Sequence, residues 1–360
     1  MERDDKKYMM ELKHMLQSQI FTIDSCNKSA HMKSETPSAG TALVTGGAGF
    51  IGSHLVDRLI ADSFRVRVAD NFSSGRLENL QRHKGERRLE ILNADLKNPL
   101  MAMEAVRGVD TVFHFAANPE VRVSTTNPET HFNENILATF NLLEAVRKTG
   151  VKELIFASSS SVYGEPDTIP VGEDASVKPV SVYGASKAAC ENLIYAYSRL
   201  YGIKAIVLRY ANVVGPRLKH GVVYDFIVKL LRSPDSLEIL GDGMQLRSYI
   251  YVSDAIDATI TAWKKTVSAF EVYNVGSEDW VSVNEVADII MEVMGLKDVK
   301  RVYKPVLHGV GWPGDVKQIA LSIEKIKALG WRPKMRSREA LAEAVRGILA
   351  DLNIRKGPSS

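Results

Sequence analysis

A tyrosine and a lysine stand four residues apart in the segment Tyr183-Gly184-Ala185-Ser186-Lys187. In a helix, side chains at this spacing lie on one face and can reach a common ligand. A free tyrosine has a pKa near ~10, and a fixed positive charge nearby lowers that value. The pattern therefore predicts a phenolate base whose pKa Lys187 lowers, although a bare Tyr-x-x-x-Lys more often marks a helix without chemistry.

A glycine-rich turn upstream carries Gly46, Gly49 and Gly52 and opens a helical pattern over Ser53–Ile60. Glycines let the backbone approach a pyrophosphate closely, and the helix N-terminus offers unpaired N–H groups to the phosphates. Asp70 follows eighteen residues after Gly52, where a carboxylate can accept hydrogen bonds from the adenosine ribose. A carboxylate there repels the 2′-phosphate of NADP, so the turn and Asp70 together predict an NAD site.

The elements that position these residues are apolar runs that alternate with amphipathic stretches from Thr41 onward. Near-continuous hydrophobic strands separated by helices are typical of a parallel sheet covered on both faces. The fold class predicted is therefore α/β, a doubly wound parallel sheet of the Rossmann type. The predicted strands are Ala42–Thr45, Val66–Ala69, Leu89–Leu92, Thr111–Phe115, Leu154–Ser158 and Ala205–Tyr210.

The composition narrows the class of protein. The chain has 360 residues, 45% hydrophobic and 25% charged, which is typical of a globular protein. A net charge of +3 argues against a nucleic-acid partner. The sequence contains no apolar run of about 18 residues, so a membrane partner is not expected. Two cysteines are too few for a zinc site or a disulfide framework, so no metal is expected and a reducing, cytoplasmic location is favoured.

Several motifs then occur together in one order, and they resemble the extended short-chain dehydrogenase/reductases. Within that family the chain is most similar to nucleotide-sugar epimerases of the UDP-glucose 4-epimerase type, over about Thr41 to Pro333. The motifs are Thr45-Gly46-Gly47-Ala48-Gly49-Phe50-Ile51-Gly52-Ser53, Asp70-Asn71, Asp95-Leu96, His114-Phe115-Ala116-Ala117, Ser158-Ser159-Ser160-Ser161-Val162-Tyr163-Gly164 and Tyr183-x-x-x-Lys187.

The resemblance implies a role for particular residues of this chain. Tyr183, Lys187 and Ser159 would be catalytic, with Ser160 as the fallback for Ser159. NAD would be held by Gly46, Gly49, Phe50, Ile51, Gly52, Asp70, Asn71, Ser73, Ser74, Gly75, Asp95, Leu96, Phe115, Ala116, Ala117, Asn135, Lys187 and Tyr210. The substrate, a UDP-hexose, would be held by Val121, Ser159, Ser160, Asn212, Arg247 and Asp315.

The implied reaction is redox-neutral. Tyr183 would take the proton of the sugar 4-hydroxyl while hydride passes from C4 to NAD, and hydride would return to the opposite face of the 4-keto sugar. UDP-glucose and UDP-galactose are the expected pair, with UDP-N-acetylhexosamines as an alternative. The same motifs are also compatible with a dehydratase or reductase of this family and with a non-catalytic NAD-sensing protein.

The residues at two positions distinguish epimerisation from the dehydration and decarboxylation reactions of related enzymes. Related 4,6-dehydratases carry an Asp-Glu pair where this chain has Ser160-Ser161, and related decarboxylases carry a Glu at the second position. Elimination at C5–C6 needs those acid and base groups, so their absence favours plain epimerisation.

Two departures from the family pattern leave the sugar and the nucleotide open. The family's Arg-Pro-Gly-Asp appears here as Trp312-Pro313-Gly314-Asp315, which removes a cation and substitutes an indole. Ile319 occupies a position that resembles the family's size gate beside the sugar C2 substituent, and it is intermediate in size.

The chain divides into four predicted parts. Residues 1–40 are a flexible tail or an expression-derived leader, 41–213 the NAD-binding domain, 214–350 a smaller α+β substrate-binding domain with some segments returning to the sheet, and 351–360 a tail. Helical patterns over Glu129–Lys148 and Ala185–Tyr201 cover the sheet. By family resemblance they would also form the interface of a homodimer.

Overall fold

The computed structural model describes residues 39–304 and 309–354. Residues 1–38 of the predicted leader and 355–360 of the predicted tail lie outside the described residues. The strands, numbered in chain order, are β1 (Thr41–Thr45), β2 (Arg65–Asp70), β3 (Leu89–Asn93), β4 (Thr111–His114), β5 (Glu153–Ser159), β6 (Lys204–Tyr210), β7 (Asn212–Val214), β8 (Ser236–Leu240), β9 (Leu246–Arg247), β10 (Tyr249–Tyr251), β11 (Phe270–Val275), β12 (Val281–Ser282), β13 (Lys300–Lys304) and β14 (Gln318–Ile319).

The helices connect these strands and cover the sheet. They are α1 (Phe50–Ala61), α2 (Pro99–Val106), α3 (Val123–Thr126), α4 (Glu129–His131), α5 (Ala138–Thr149), α6 (Val182–Tyr201), α7 (Gly221–Arg232), α8 (Val252–Lys265), α9 (Val283–Met294), α10 (Glu324–Ala328) and α11 (Ser337–Asp351). Short 3₁₀ helices span Leu77–His83 and Ser160–Tyr163, and a π-helical stretch spans Phe132–Leu137.

A seven-stranded sheet in the order β11-β6-β5-β4-β1-β2-β3 is the centre of the molecule, and every pairing in it is parallel. Successive strand residues point to opposite faces, so Leu43 and Val44 of β1 enter different cores. Leu59 of α1 packs in one core and Leu142 of α5 in the other, both fully buried. The predicted doubly wound Rossmann-type fold is confirmed.

The predicted strands agree with the structure except at their ends, and two predicted helices differ from it. Helix α1 begins at Phe50 rather than Ser53, because Gly49 already serves as its N-cap. The single helix predicted over Glu129–Lys148 is interrupted by the π-helical stretch, which the apolar periodicity did not indicate.

The C-terminal part forms small sheets of its own, which pair β7 with β10, β8 with β13, and β9 with both β12 and β14. Strand β11 returns to the large sheet and pairs with β6 from Phe270 to Val275. The division into two domains at 213 stays a prediction. Among the described residues, no helix is both long and apolar enough to cross a membrane.

The strand order fixes where a ligand can bind. Strand β1 has β4 on one side and β2 on the other, so the connections on its two sides run in opposite directions. In such sheets a crevice opens outside the carboxyl ends of the strands, at the point of reversal. The glycine-rich turn follows β1 at this edge, and Ser159 ends β5 at the same edge.

Candidate active site

The glycine-rich turn after β1 leaves no room for side chains. A Cβ on Gly52 would lie 2.2 Å from the carbonyl oxygen of Gly46, and one on Gly46 would lie 2.7 Å from the amide nitrogen of Ala116. Gly46 also has a φ of 67°, in the left-handed region. No side chain caps α1, so its N-terminus is open to an anion. These features fit the pyrophosphate of a dinucleotide.

Asp70 is held beneath the loop that follows β2. Its carboxylate accepts hydrogen bonds from the backbone N–H groups of Ala48 at 3.0 Å and Phe72 at 2.9 Å. Burial raises the pKa of Asp70, and these two hydrogen bonds oppose the rise. A Cβ on Gly75 would lie 2.7 Å from both carboxylate oxygens. Gly75 does not line the cavity described below, but it leaves space for Asp70, and its contact with NAD stays a prediction.

One cavity of about 560 Å³ lies at this edge of the sheet and extends toward the C-terminal part. Its volume is in the range of small-molecule sites. The predicted cofactor residues that line it are Gly46, Gly49, Phe50, Ile51, Gly52, Asp70, Asn71, Ser73, Ser74, Asp95, Leu96, Phe115, Ala116, Ala117, Lys187 and Tyr210. The predicted substrate residues that line it are Val121, Ser159, Ser160, Asn212, Arg247 and Asp315.

Asn135 does not line the cavity, and its contact with the nicotinamide side stays a prediction. It lies in the π-helical stretch and is 1% exposed. Its side chain accepts a hydrogen bond from the Asn118 backbone at 2.8 Å and donates one to Ser186 Oγ at 2.8 Å. Asn135 therefore ties the loop after β4 to helix α6 from behind the cavity.

The three predicted catalytic residues meet on the cavity wall. Tyr183 is the second residue of α6, whose N-cap Ser181 accepts a hydrogen bond from the Gly184 N–H. Ser159, at the end of β5, lines the same cavity, and its hydroxyl acts to lower the pKa of the Tyr183 phenol. Lys187 is 3% exposed, and its Nζ donates to the Ala157 carbonyl at 2.8 Å. A hydroxyl, a phenol and an ammonium thus share one site.

The structure corrects the predicted pKa of Tyr183. Burial raises the pKa of Tyr183 to about 12, and the hydrogen bond with Ser159 opposes the rise. Burial also lowers the pKa of Lys187 to about 8. The Lys187 Nζ is 6.0 Å from the centroid of the Tyr183 ring and bonds a carbonyl instead. Desolvation of the phenol therefore exceeds the attraction that the lysine was predicted to supply.

Arg247 and Asp315 bind each other rather than standing free for a substrate. Arg247 Nη2 lies 2.8 Å from Asp315 Oδ1, and the guanidinium also donates to the carbonyls of Leu246, Val316 and Lys317. Both terminal nitrogens of Arg247 are thus engaged within the protein, and its phosphate contact stays a prediction. Asn212 lines the same end, and its amide donates to the Ser248 carbonyl at 3.3 Å.

The two residues that depart from the family pattern line the cavity at the Arg247 end. Trp312 precedes a turn closed by the Asp315 N–H on the Trp312 carbonyl at 3.1 Å. Its indole Nε1 is buried and has no hydrogen-bond partner among the described residues. Ile319 lies in β14 and is 8% exposed.

Sequence reasoning missed two serines beside the catalytic residues. Ser161 Oγ donates to Ser159 Oγ at 2.9 Å, and its place in the four-serine run could have indicated this. Ser124 Oγ accepts a hydrogen bond from the Tyr183 backbone N–H at 3.1 Å. Ser124 lies in a polar segment without periodicity, so no pattern could have indicated it.

The fold and the site together define a class of protein. A parallel sheet, a glycine cradle, a ribose-side carboxylate and a Ser–Tyr–Lys set in one cavity define a dinucleotide-dependent enzyme of the short-chain dehydrogenase/reductase type. Within that class, the chain belongs to the NAD dependent epimerase/dehydratase family, whose model matches residues 42–276.

Relatives agree with this assignment. UDP-glucose 4-epimerase of Mycolicibacterium smegmatis is 36% identical over 310 residues, which cover 84% of this chain and 96% of the relative. A crystal structure of a UDP-galactose 4-epimerase is 48% identical with a TM-score of 0.78, and the match covers 87% of this chain and 99% of that one. UDP-glucose 4-epimerase of Thermus thermophilus, solved with NAD, is 36% identical with a TM-score of 0.76, covering 85% and 98%.

The sugars named in such structures differ. A UDP-N-acetylglucosamine 4-epimerase from Methanobrevibacter ruminantium is 33% identical, with a TM-score of 0.78 and coverage of 87% of this chain and 99% of that one. A UDP-glucuronic acid 4-epimerase from Bacillus cereus is 29% identical, with a TM-score of 0.79 and coverage of 86% and 99%. The chain is thus an enzyme of this family with NAD as its cofactor.

Proposed function

We propose that this protein is an NAD-dependent 4-epimerase of UDP-hexoses that interconverts UDP-glucose and UDP-galactose. The observation that carries the proposal is the meeting of Ser159, Tyr183 and Lys187 on one cavity wall, beside the glycine cradle. Ser160 and Ser161 line the same cavity where a dehydratase would need an acid and a base. The relatives named as UDP-glucose 4-epimerases support the choice of sugar.

Three residues of the chain have distinct proposed roles in the reaction. Tyr183 acts as the phenolate, which the positive charges of Lys187 and of the oxidised nicotinamide would favour once NAD is bound, against the burial that raises its pKa in the free protein. The phenolate accepts the proton of the sugar 4-hydroxyl and later returns one to the 4-keto oxygen. Ser159 hydrogen-bonds that oxygen and the phenol, which keeps the two in line. Lys187 places a positive charge on the same wall, within 6.0 Å of the phenol ring centroid. Bound NAD supplies a reversible hydride acceptor.

The proposed contacts with NAD begin at the glycine-rich turn after β1. Backbone N–H groups at the start of α1 face the pyrophosphate, and Asp70 receives the adenosine ribose hydroxyls. Both oxygens of Asp70 already accept one backbone hydrogen bond each, which fixes their direction. This leaves the second lone pair of each oxygen for a hydroxyl.

A second substrate class is proposed as the alternative. Ile319 lines the cavity, and its side chain is smaller than an aromatic side chain at the same position would be. Its size therefore does not exclude a sugar that carries an N-acetyl group at C2. The UDP-N-acetylglucosamine 4-epimerase among the similar structures supports this candidate.

A product analysis tests the proposal. The protein is incubated with UDP-, dTDP- and GDP-sugars, and the products are assigned by proton NMR. We expect inversion at C4 without loss of mass and with UDP-glucose or UDP-galactose preferred. Tyr183→Phe should lower kcat by about 10²–10⁴-fold because the proton acceptor is lost. Tyr201→Phe, on the exposed end of the same helix, is the matched control and should leave kcat unchanged. Release of water or carbon dioxide would refute the proposal.

We also propose that the protein is a homodimer. Large apolar side chains on α5, on the π-helical stretch before it and on α6 remain exposed: Phe132 (56%), Phe140 (42%), Tyr195 (49%), Leu200 (72%) and Tyr201 (45%). Exposed apolar surface on two neighbouring helices fits a self-complementary interface about a twofold axis.

A further inference from the structure

A buried ion pair lies directly behind the catalytic wall. Arg209 of β6 and Glu191 of α6 are 5% and 7% exposed. Arg209 Nη2 donates to Glu191 Oε2 at 2.7 Å, and Nε donates to Oε1 at 3.1 Å, so the contact is bidentate. Charges this far from water are costly to bury unless the geometry is good and further hydrogen bonds complete it.

The further hydrogen bonds go to both ends of the serine turn. Ser158 Oγ donates to Glu191 Oε1 at 2.5 Å. At the other end, Arg209 Nη1 donates to the hydroxyl of Tyr163 at 2.9 Å. Ser159 lies between these two anchors and caps the 3₁₀ helix Ser160–Tyr163. The one ion pair is therefore hydrogen-bonded on both sides of Ser159, the residue whose hydroxyl acts on the pKa of the Tyr183 phenol.

The anchor at Tyr163 is itself tied to the rest of the fold. The Tyr163 hydroxyl donates to Asn274 Oδ1 at 2.7 Å, and Asn274 belongs to β11. The Asn274 amide then donates to the carbonyls of Val171 at 3.0 Å and Ser322 at 3.1 Å. Each side chain in this network has a hydrogen-bond partner, which is the condition under which a buried network is rigid.

The other end of the pair reaches the catalytic helix. Glu191 stands one turn after Lys187 on α6, and its charge opposes the burial that lowers the pKa of Lys187. The same carboxylate, which belongs to the helix that carries Tyr183 and Lys187, accepts the Ser158 hydrogen bond from the end of β5, next to Ser159. Its ion pair with Arg209 ties that helix to β6.

We propose that the Glu191–Arg209 pair is a positioning unit that sets the distance between Ser159 and Tyr183. Neither residue lines the cavity, so both act through the residues that do. The inference rests on the proposed roles of Ser159 and Tyr183. It adds that replacing both members of the pair by apolar residues leaves the stability of the fold near that of the wild type. The same replacement misaligns the hydroxyls of Ser159 and Tyr183 and so lowers kcat.

The test is the double variant Glu191→Leu with Arg209→Met. Replacing both members of a buried pair by apolar groups of similar size is often neutral for stability, whereas removing one member leaves a buried charge unpaired. We expect the double variant to unfold near the wild-type midpoint. Its kcat for C4 inversion should fall by about 10²-fold, the cost of a misplacement near 1 Å, with KM for the UDP-sugar near the wild-type value.

The matched control is Glu153→Gln with Lys204→Met. This pair joins the starts of the same two strands, β5 and β6, at 3.2 Å and at the end away from the cavity. Its removal should leave kcat unchanged. If the double variant at 191 and 209 is folded and has wild-type kcat, the proposal is overturned.

A milder variant serves if the double variant does not fold. Ser158→Ala removes the hydrogen bond between the strand end and Glu191 and takes one hydroxyl from the cavity lining, and it should still lower kcat with little change in KM. Wild-type kcat in Ser158→Ala would then contradict the proposal. A wild-type protein without C4 epimerase activity on any sugar of the panel would refute the proposed function instead, so the two failures are distinct.

Discussion

Tyr183 and Lys187 are both buried, and burial acts on them in opposite directions. It raises the pKa of the phenol to about 12 and lowers the pKa of the ammonium to about 8. Each shift favours the neutral form, because a charge is poorly solvated inside a protein. At neutral pH the free protein thus holds a protonated phenol beside an ammonium that is costly to keep buried. The buried positive charge of Lys187 therefore destabilises the folded protein.

The first prediction follows from that cost. Lys187→Met should raise the free energy of unfolding of the NAD-free protein at pH 7, by on the order of 2 kcal/mol. A pKa lowered from 10.5 to about 8 corresponds to roughly 3 kcal/mol, and the lost hydrogen bond to Ala157 offsets about 1 kcal/mol. Urea unfolding measures the difference, and the same variant should be nearly inactive.

The lowered pKa of Lys187 also determines how the stability difference between Lys187→Met and the wild type changes with pH. Between pH 8 and 10.5 the unfolded chain binds the lysine proton and the folded protein does not, so wild-type stability from this group rises with pH across that window. The advantage of Lys187→Met should therefore be full below pH 8 and shrink toward pH 10.5. An advantage that grows with pH would contradict the burial of Lys187 as a charged group.

Trp312 carries the second prediction. Arg247 is engaged by Asp315, so the cavity end at Trp312 lacks the cation that the family pattern has there. Trp312→Arg should lower KM for the UDP-sugar by about 10-fold, because a charge-assisted hydrogen bond contributes roughly 1.5–3 kcal/mol. The gain should shrink at high salt. Trp312→Phe, which removes the indole N–H and adds no charge, is the control, and an equal gain there would contradict the electrostatic account.

At the scale of elements, the glycine turn gives the third prediction. Gly52→Ala should abolish retention of NAD, because its Cβ would lie 2.2 Å from the Gly46 carbonyl and the turn would have to open. Gly172→Ala is the control, since nothing lies within 4 Å of a Cβ there. Absorbance of NAD after desalting measures retention. Equal retention in both variants would show that the turn does not hold the cofactor.

The elements were predictable where one local pattern decides them. Strands β1 to β6 follow from apolar runs, and the first helix follows from its glycine turn, to within a few residues, whereas β11 and the short C-terminal strands were not predicted. The π-helical stretch was not predictable, because it changes the hydrogen-bond register by one residue without altering the apolar spacing. Arg247 and Asp315 are separated by 68 positions, so only the folded chain reveals their pairing. The pKa of Tyr183 depends on burial, which Tyr-x-x-x-Lys does not specify.

At the scale of the whole molecule, the cavity belongs to one chain. Its lining extends from Gly46 in the turn after β1 to Ile319 of β14, so catalysis requires the large sheet and the C-terminal part together. The exposed apolar residues on α6 lie apart from that lining, since Tyr195, Leu200 and Tyr201 are absent from it. The proposed assembly and catalysis should therefore be separable by mutation.

The fourth prediction uses that separation. Leu200→Glu should convert the proposed homodimer to monomers, because a charge would be buried in an apolar interface where Leu200 is now 72% exposed. Leu77→Glu is the control: Leu77 is 56% exposed on a 3₁₀ helix between β2 and β3, outside the proposed interface, and its variant should leave the mass unchanged. Sedimentation at micromolar concentration measures both. Because the cavity is lined by a single chain, kcat per chain should persist in Leu200→Glu. A wild-type protein that sediments as a monomer would refute the dimer, and its exposed helix face would then need another partner.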